Sequence, residues 1–333
     1  LPRKAGLCWM QKLCCRGGEE RISMRRWMLG LFVSLGMILV IGCEKKGSNG
    51  PERSAEKPVV VEKPVVAVSI LPQRYFVHRI GGDLCTTVVL VGPGQSPHSY
   101  EPTPRQMEEL SRAKVWILSG TDFELSLRPK IVALYPGLKI VDGTEGVQFR
   151  KLEAHEDEEE SHEQGSPPHD SNIDRHTWLG KEPALILARH IRDTLIGILP
   201  AHRDILEKNY QSLVKEIEEE FSRLSKELAP LKGQKVYVYH PAFGYFLDTF
   251  GILQEAVETG GKEPSSRVLS ELIKRAQEER VRVIFVQAQF PPQAAKTVAD
   301  AVGARVVPLD PLAEDWLQNI RRMGEALKQA IPE

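Results

Sequence analysis

The feature that most constrains this chain is an alternation that occurs twice. Short, β-branched apolar runs at residues 65–70, 86–91, 115–118 and 139–141 alternate with helical patterns at 75–80, 103–113 and 123–134. The pattern then restarts, with runs at 235–239, 253–257, 281–286 and 305–309 and helical patterns at 242–250, 265–279 and 292–302. Runs this apolar must be covered on both faces, and the intervening helices are what parallel strands need for their crossovers. The expected fold is therefore α/β, with two lobes, each a four-stranded parallel sheet flanked by helices. Between the lobes lie a helical pattern at 183–199 and a longer one at 202–228. The longer one carries Ile205, Leu206, Tyr210, Leu213, Val214, Ile217, Phe221, Leu224 and Leu228 at three- and four-residue spacing on one face. At about 1.5 Å per residue such a helix spans roughly 40 Å, enough to run along both lobes as a rigid connector.

Composition sharpens the boundaries. The 333 residues include 44 Lys+Arg and 45 Asp+Glu, a net charge of −1, with 41% hydrophobic residues. This is globular rather than disordered composition, and it lacks the basic excess of a generic nucleic-acid binder. The near-neutral total conceals two extremes. Residues 1–42 hold Arg3, Lys4, Lys12, Arg16, Arg21, Arg25 and Arg26 against Glu19 and Glu20. The uncharged run 27–42 is shorter than the ~20 residues of a spanning helix. Arg25-Arg26, the apolar run and a terminal small residue read as an export signal. The run closes Val40-Ile41-Gly42-Cys43, which resembles a bacterial lipobox in which Cys43 is lipidated; the alternative is a membrane anchor that contains a cysteine. On the lipobox reading Met24 is the start, and residues 1–23 are an upstream extension. Residues 43–64 then form a flexible, lipid-anchored tether rich in Pro, Lys and Glu. Cys8, Cys14 and Cys15 fall in the extension, which leaves Cys85 alone as a small buried apolar residue without a disulfide.

The other extreme is residues 153–170, with eight acids, no Lys or Arg, and His155, His162 and His169 at seven-residue intervals. A segment of this composition cannot bury apolar surface and reads as a loop. Its acids and imidazoles suit an auxiliary divalent-metal site; the alternative is a solvated acidic loop. The resulting division is an N-terminal lobe at 65–201 containing this loop, a connecting helix at 202–230 and a C-terminal lobe at 231–333.

Enzyme signatures are missing. There is no HExxH, and Gly260-Gly261-Lys262 lacks the upstream glycine of a phosphate-binding loop. Gly94-Gln95-Ser96-Pro97-His98 begins like a nucleophile elbow but ends in His rather than Gly. Position relative to the strands is more informative. Open parallel sheets bind ligands beyond the carboxyl ends of their strands. His98 follows the run 86–91, His240 follows 235–239, Asp310 follows 305–309, and His176 stands just past the acidic segment. Three imidazoles and a carboxylate make a tetrahedral zinc set. Taken singly, each histidine is better explained as a hydrogen-bonded structural residue, the reading given to His78, His190 and His202.

Specific tracts extend this reading. Leu71-Pro72-Gln73-Arg74-Tyr75-Phe76-Val77 with Ile80-Gly81-Gly82-Asp83, Pro97-His98-Ser99-Tyr100-Glu101-Pro102-Thr103-Pro104, Asp174-Arg175-His176-Thr177-Trp178-Leu179, His240-Pro241-Ala242-Phe243-Gly244-Tyr245-Phe246 and Leu309-Asp310-Pro311-Leu312 occur in order. Over residues 64–331 the chain resembles the bacterial metal-binding lipoproteins that deliver zinc or manganese to ABC importers, the cluster A-I substrate-binding proteins. The resemblance implies two lobes joined by one long helix, with metal held between them by His98, His176, His240 and Asp310. It implies no covalent chemistry, a membrane permease as partner and a monomeric chain at the cell envelope or in the periplasm. His240 stands where zinc members tend to have His and manganese members often have Glu, which favours Zn²⁺ over Mn²⁺. Some relatives are described as surface adhesins, a compatible alternative. The chain departs from the family pattern at Arg175, where Pro is usual, and at Gln287, where many members have Glu. Glu101 is close enough in sequence to His98 to orient its ring, or it is a helix N-terminal charge.

Overall fold

A computed structural model describes residues 62–152, 172–258, 265–287, 289 and 293–331, all within one compact unit, Val60–Glu333. Cys43, the expected export signal and tether, and His155, His162 and His169 lie outside the described residues. The elements run β1 (Val65–Ile70), α1 (Leu71–Gly81), β2 (Thr86–Val91), α2 (Pro104–Ser111), β3 (Val115–Leu118), α3 (Asp122–Leu134), β4 (Lys139–Asp142), α4 (Lys181–Ile198) and α5 (Arg203–Glu227). They continue β5 (Lys235–Val238), α6 (Gly244–Asp248), β6 (Leu253–Ala256), α7 (Ser266–Glu278), β7 (Val283–Gln287), α8 (Gln293–Val302), β8 (Arg305–Leu309) and α9 (Trp316–Lys328).

The strands form two four-stranded sheets, ordered β2-β1-β3-β4 and β6-β5-β7-β8, and every pairing is parallel. The second order repeats the first. In each sheet the chain moves outward from the first strand to one side, then returns to build the other. The reversal opens a crevice at the carboxyl ends beside β1 and β5, the usual place for a ligand in such sheets. The central strands are mostly apolar because both faces are covered: β3 is wholly buried, and β1 is buried from Val66 onward.

α5 packs against α1, α4 and α9. Its buried stripe is Leu206, Leu213, Ile217, Phe221 and Leu224, and its 25 residues extend roughly 38 Å at about 1.5 Å each. Ile205, expected on the same face, points outward and is 44% exposed. α9, absent from the sequence expectations, buries Trp316, Ile320, Met323 and Leu327. Arg321 and Lys328 of α9 pair with Glu220 and Glu227 of α5. Cys85 is free and buried. Among the described residues, no helix is long and apolar enough to cross a membrane.

Candidate metal centre

Three loops converge where the sheets face each other. The loop after β2 carries His98 and ends at Thr103, whose hydroxyl caps α2 by accepting from Gln106 N at 3.3 Å. Gln106 in turn donates to Leu90 O in β2, tying the helix start to the strand end. His176 precedes a short 3-10 turn, Thr177–Leu179, that leads into α4. His240 follows β5, where Gln287 of β7 holds both its peptide groups. His240 N donates to Gln287 Oε1 at 3.2 Å, and Gln287 Nε2 donates to His240 O at 2.6 Å. A carboxylate could accept the first bond but could not make the second. The family departure at Gln287 thus supplies a neutral clamp at a site with no exposed surface.

The three rings meet at their Nε2 atoms. His240 Nε2 lies 3.1 Å from His98 Nε2 and 3.2 Å from His176 Nε2. Their far nitrogens each contact a carboxylate: His98 Nδ1 with Asp122 Oδ2 at 2.7 Å, His176 Nδ1 with Asp174 Oδ1 at 2.8 Å, and His240 Nδ1 with Glu258 Oε1 at 2.5 Å. A carboxylate accepts only, so the ring proton belongs on Nδ1 and each Nε2 presents a lone pair inward. Three lone pairs aimed at one another repel unless a cation lies between them. For Zn–N bonds of about 2.05 Å in a tetrahedron the expected N···N edge is about 3.3 Å, close to the spacing here. The cavity they line holds about 20 Å³, with Ser96, Trp178, Ala242, Gln289 and Leu312 completing its wall. That is room for one water-sized species.

Electrostatics favour the same arrangement. Burial pushes the His240 pKa down to about 4, outweighing the pull of Glu258, so its ring is neutral at physiological pH. Burial alone would raise the Asp174 carboxyl, but hydrogen bonds from His176 and Arg150 hold it below the usual range. Asp122 is likewise raised by burial and lowered more by His98 and Arg175. Arg175 reaches across to Asp122 Oδ1 with its Nε at 3.1 Å and donates to Gly120 O. The residue that replaces the usual Pro therefore links the carboxylate behind His98 to the loop that carries His176.

His98, His176 and His240 form one group whose ligand atoms lie within 4.8 Å of each other; Asp310 is outside it. Asp310 Oδ1 instead accepts from Gln289 Nε2 at 3.1 Å and Leu312 N at 2.9 Å, and its main chain accepts from Asn319. Glu101 is exposed, and the role of His98 partner falls to Asp122. Asp122 and Glu258 are absent from the sequence expectations. Asp122 opens α3 just beyond β3, and an acid in a first turn at the crevice is the signal that could have found it. His190 Nε2 donates to Glu145 O at 2.8 Å, and His190 takes no part in the cluster.

Two parallel-sheet lobes with an imidazole trio between them fit the class of two-lobed metal-binding proteins. The sequence profile described as "Zinc-uptake complex component A periplasmic" matches residues 66–330, and the chain belongs to that family. This is a family of metal uptake rather than of enzymes. The chain is 24% identical over 276 residues to the zinc-binding lipoprotein AdcA of Streptococcus pneumoniae, covering 79% of this chain and 55% of that protein. It thus spans about half the length of that relative. It is 27% identical over 309 residues to the high-affinity zinc uptake system protein ZnuA of Brucella abortus, covering 81% and 92%. A crystal structure of ZnuA superposes with a TM-score of 0.74 at 31% identity, covering 81% of this chain and all of that one.

Proposed function

We propose that this chain is the extracytoplasmic zinc-binding component of an ABC importer, capturing Zn²⁺ and presenting it to a membrane permease. The observation that carries the reading is the convergence of three Nε2 atoms, each backed at Nδ1 by a carboxylate. Such outer carboxylates fix the ring angle and raise the basicity of a metal-ligating imidazole. His98, His176 and His240 are the proposed ligands. Asp310 is the proposed fourth, brought in from the rim of the cavity, where Pro311 and Leu312 line the wall. An all-protein ligand set leaves no position for an activated water, so the role is capture and release without covalent chemistry. Cys43 as lipid anchor, action as a monomer, and His155, His162 and His169 as an auxiliary metal loop belong to the same reading and rest on the sequence.

Mn²⁺ is the competing cargo. Imidazole suits Zn²⁺, whereas harder oxygen donors suit Mn²⁺. A competition titration of Zn²⁺ against Mn²⁺ on the purified chain tests the choice. Zn²⁺ should displace Mn²⁺ from a single tight site, and a preference for Mn²⁺ would overturn the assignment.

A further inference from the structure

Asp174 carries two loads. Its Oδ1 holds His176, and its Oδ2 accepts from Arg150 Nη1 at 2.7 Å. Arg150 and Asp174 face each other across a short antiparallel ribbon, where Asp174 N donates to Arg150 O at 3.0 Å and Lys151 pairs with Ile173. The same guanidinium reaches the other lobe. Arg150 Nε donates to Asp248 Oδ2 at 2.9 Å, and its Cζ lies 5.9 Å from the centre of the Tyr245 ring. The Tyr245 hydroxyl accepts from Arg150 N at 3.0 Å and donates to Asp174 O at 2.9 Å. Gly244, which opens α6, leaves the slot that the guanidinium fills; a Cβ there would collide with it.

We infer that Arg150 is a positioning residue that couples the presentation of His176 to the docking of α6, so that cation release begins with the breaking of the Arg150–Asp248 leg. The inference rests on the zinc reading above. Segment 240–248 carries both a proposed ligand and the docking surface, so parting α6 from Arg150 draws His240 away from His98 and His176. The two legs differ in strength. Asp174 has no exposed side-chain surface, whereas Asp248 is 52% exposed. A solvated pair contributes little and is easily exchanged for water, while a buried, doubly bonded carboxylate is not. Elsewhere between the lobes, Arg74 of α1 makes a second exposed pair with Glu314, its Nε donating to Oε1 at 2.8 Å, while the indole contacts are buried. Trp178 Nε1 donates to Pro311 O at 2.8 Å and Trp316 Nε1 to Trp178 O at 2.7 Å, with all three groups buried. That contact has no weak leg; of the two solvated pairs, Arg150–Asp248 is the one joined to the loops that carry His176 and His240, so release of the cation begins there.

The test is stopped-flow release of Zn²⁺ to a chelator from the loaded full chain, with Co²⁺ absorption bands as a probe of ligand geometry. Arg150→Gln should speed release about 10–100-fold and shift the Co²⁺ bands, the scale seen when an outer partner of a ligand is lost. Asp248→Asn should also speed release but leave the Co²⁺ bands in place, because Asp174 and His176 keep their bond. Arg150→Lys, which cannot serve both carboxylates, should fall between wild type and Arg150→Gln. Wild-type release rates in Arg150→Gln, or in the solvent-side variant Asp248→Asn, would overturn the coupling while leaving the zinc reading intact. Failure of the wild-type chain to bind Zn²⁺ would overturn that reading itself.

Discussion

Each imidazole of the trio uses both of its nitrogens, and the division of labour between them sets the chemistry. Nδ1 is spent on a carboxylate, so Nε2 is left as a donor of electrons. Removing such a partner frees the ring to tilt and to change tautomer. Asp122→Asn should therefore weaken zinc binding about 10–100-fold in a titration, with no loss of stoichiometry; unchanged affinity would remove Asp122 from the site. Protons compete for the same lone pairs. Apparent zinc affinity should fall as pH drops below about 6.5, and a flat profile from roughly pH 7 to 5 would argue against imidazole ligation. His240 adds a separate effect on the metal-free fold. Its folded pKa of about 4 lies below the unfolded value, so the unfolded chain takes up the proton first. The stability gained from a neutral His240 is complete above about pH 6.5 and is lost as pH falls toward the folded value. Melting curves of the apoprotein should shift down across that window, and a pH-independent melt would contradict the burial argument. The histidines are legible in the sequence because each sits in a compact tract. Asp122 and Glu258 are not, because they stand 24 and 18 residues from the rings they hold and meet them only through sheet register.

At the scale of elements, strands were easiest to read. Most are rich in β-branched and apolar residues, β6 with Gln254 and Glu255 being the exception, and the ends shift by only a residue or two, as at β7, which begins at Val283 rather than 281. The short helix after His240 is harder. The pattern 242–250 is helical only over Gly244–Asp248, because Ala242 N is already bonded to His240 O and Gly251 turns the chain at φ 67°. α9 has helical spacing at Trp316, Ile320, Met323 and Leu327, yet what makes it structural is distant: Trp316 rests on Phe76 and Phe221. Phe221 on α5 also stacks on Phe250 with ring centres 5.9 Å apart and is 1% exposed. Phe221→Ala should destabilise the fold by about 3–5 kcal/mol in urea unfolding. A loss below about 1 kcal/mol would mean that α5 is not the shared core the packing describes.

For the molecule as a whole, the repeated sheet order places two crevices mouth to mouth, and α5 supplies a common backbone for them. Charge follows the same plan. The acids that matter for a cation are not the exposed majority but three carboxylates behind three rings, two of them with almost no exposed surface. The neutral total of the sequence could not reveal this, since it averages over a basic start and the acidic segment 153–170. The most direct test is calorimetric titration of Zn²⁺ into the wild-type chain and into a His98→Ala, His240→Ala double variant that retains the acidic segment. The wild type should show one tight site, and the double variant should lose it while keeping any weaker binding. Tight zinc binding undiminished in the double variant would contradict the account.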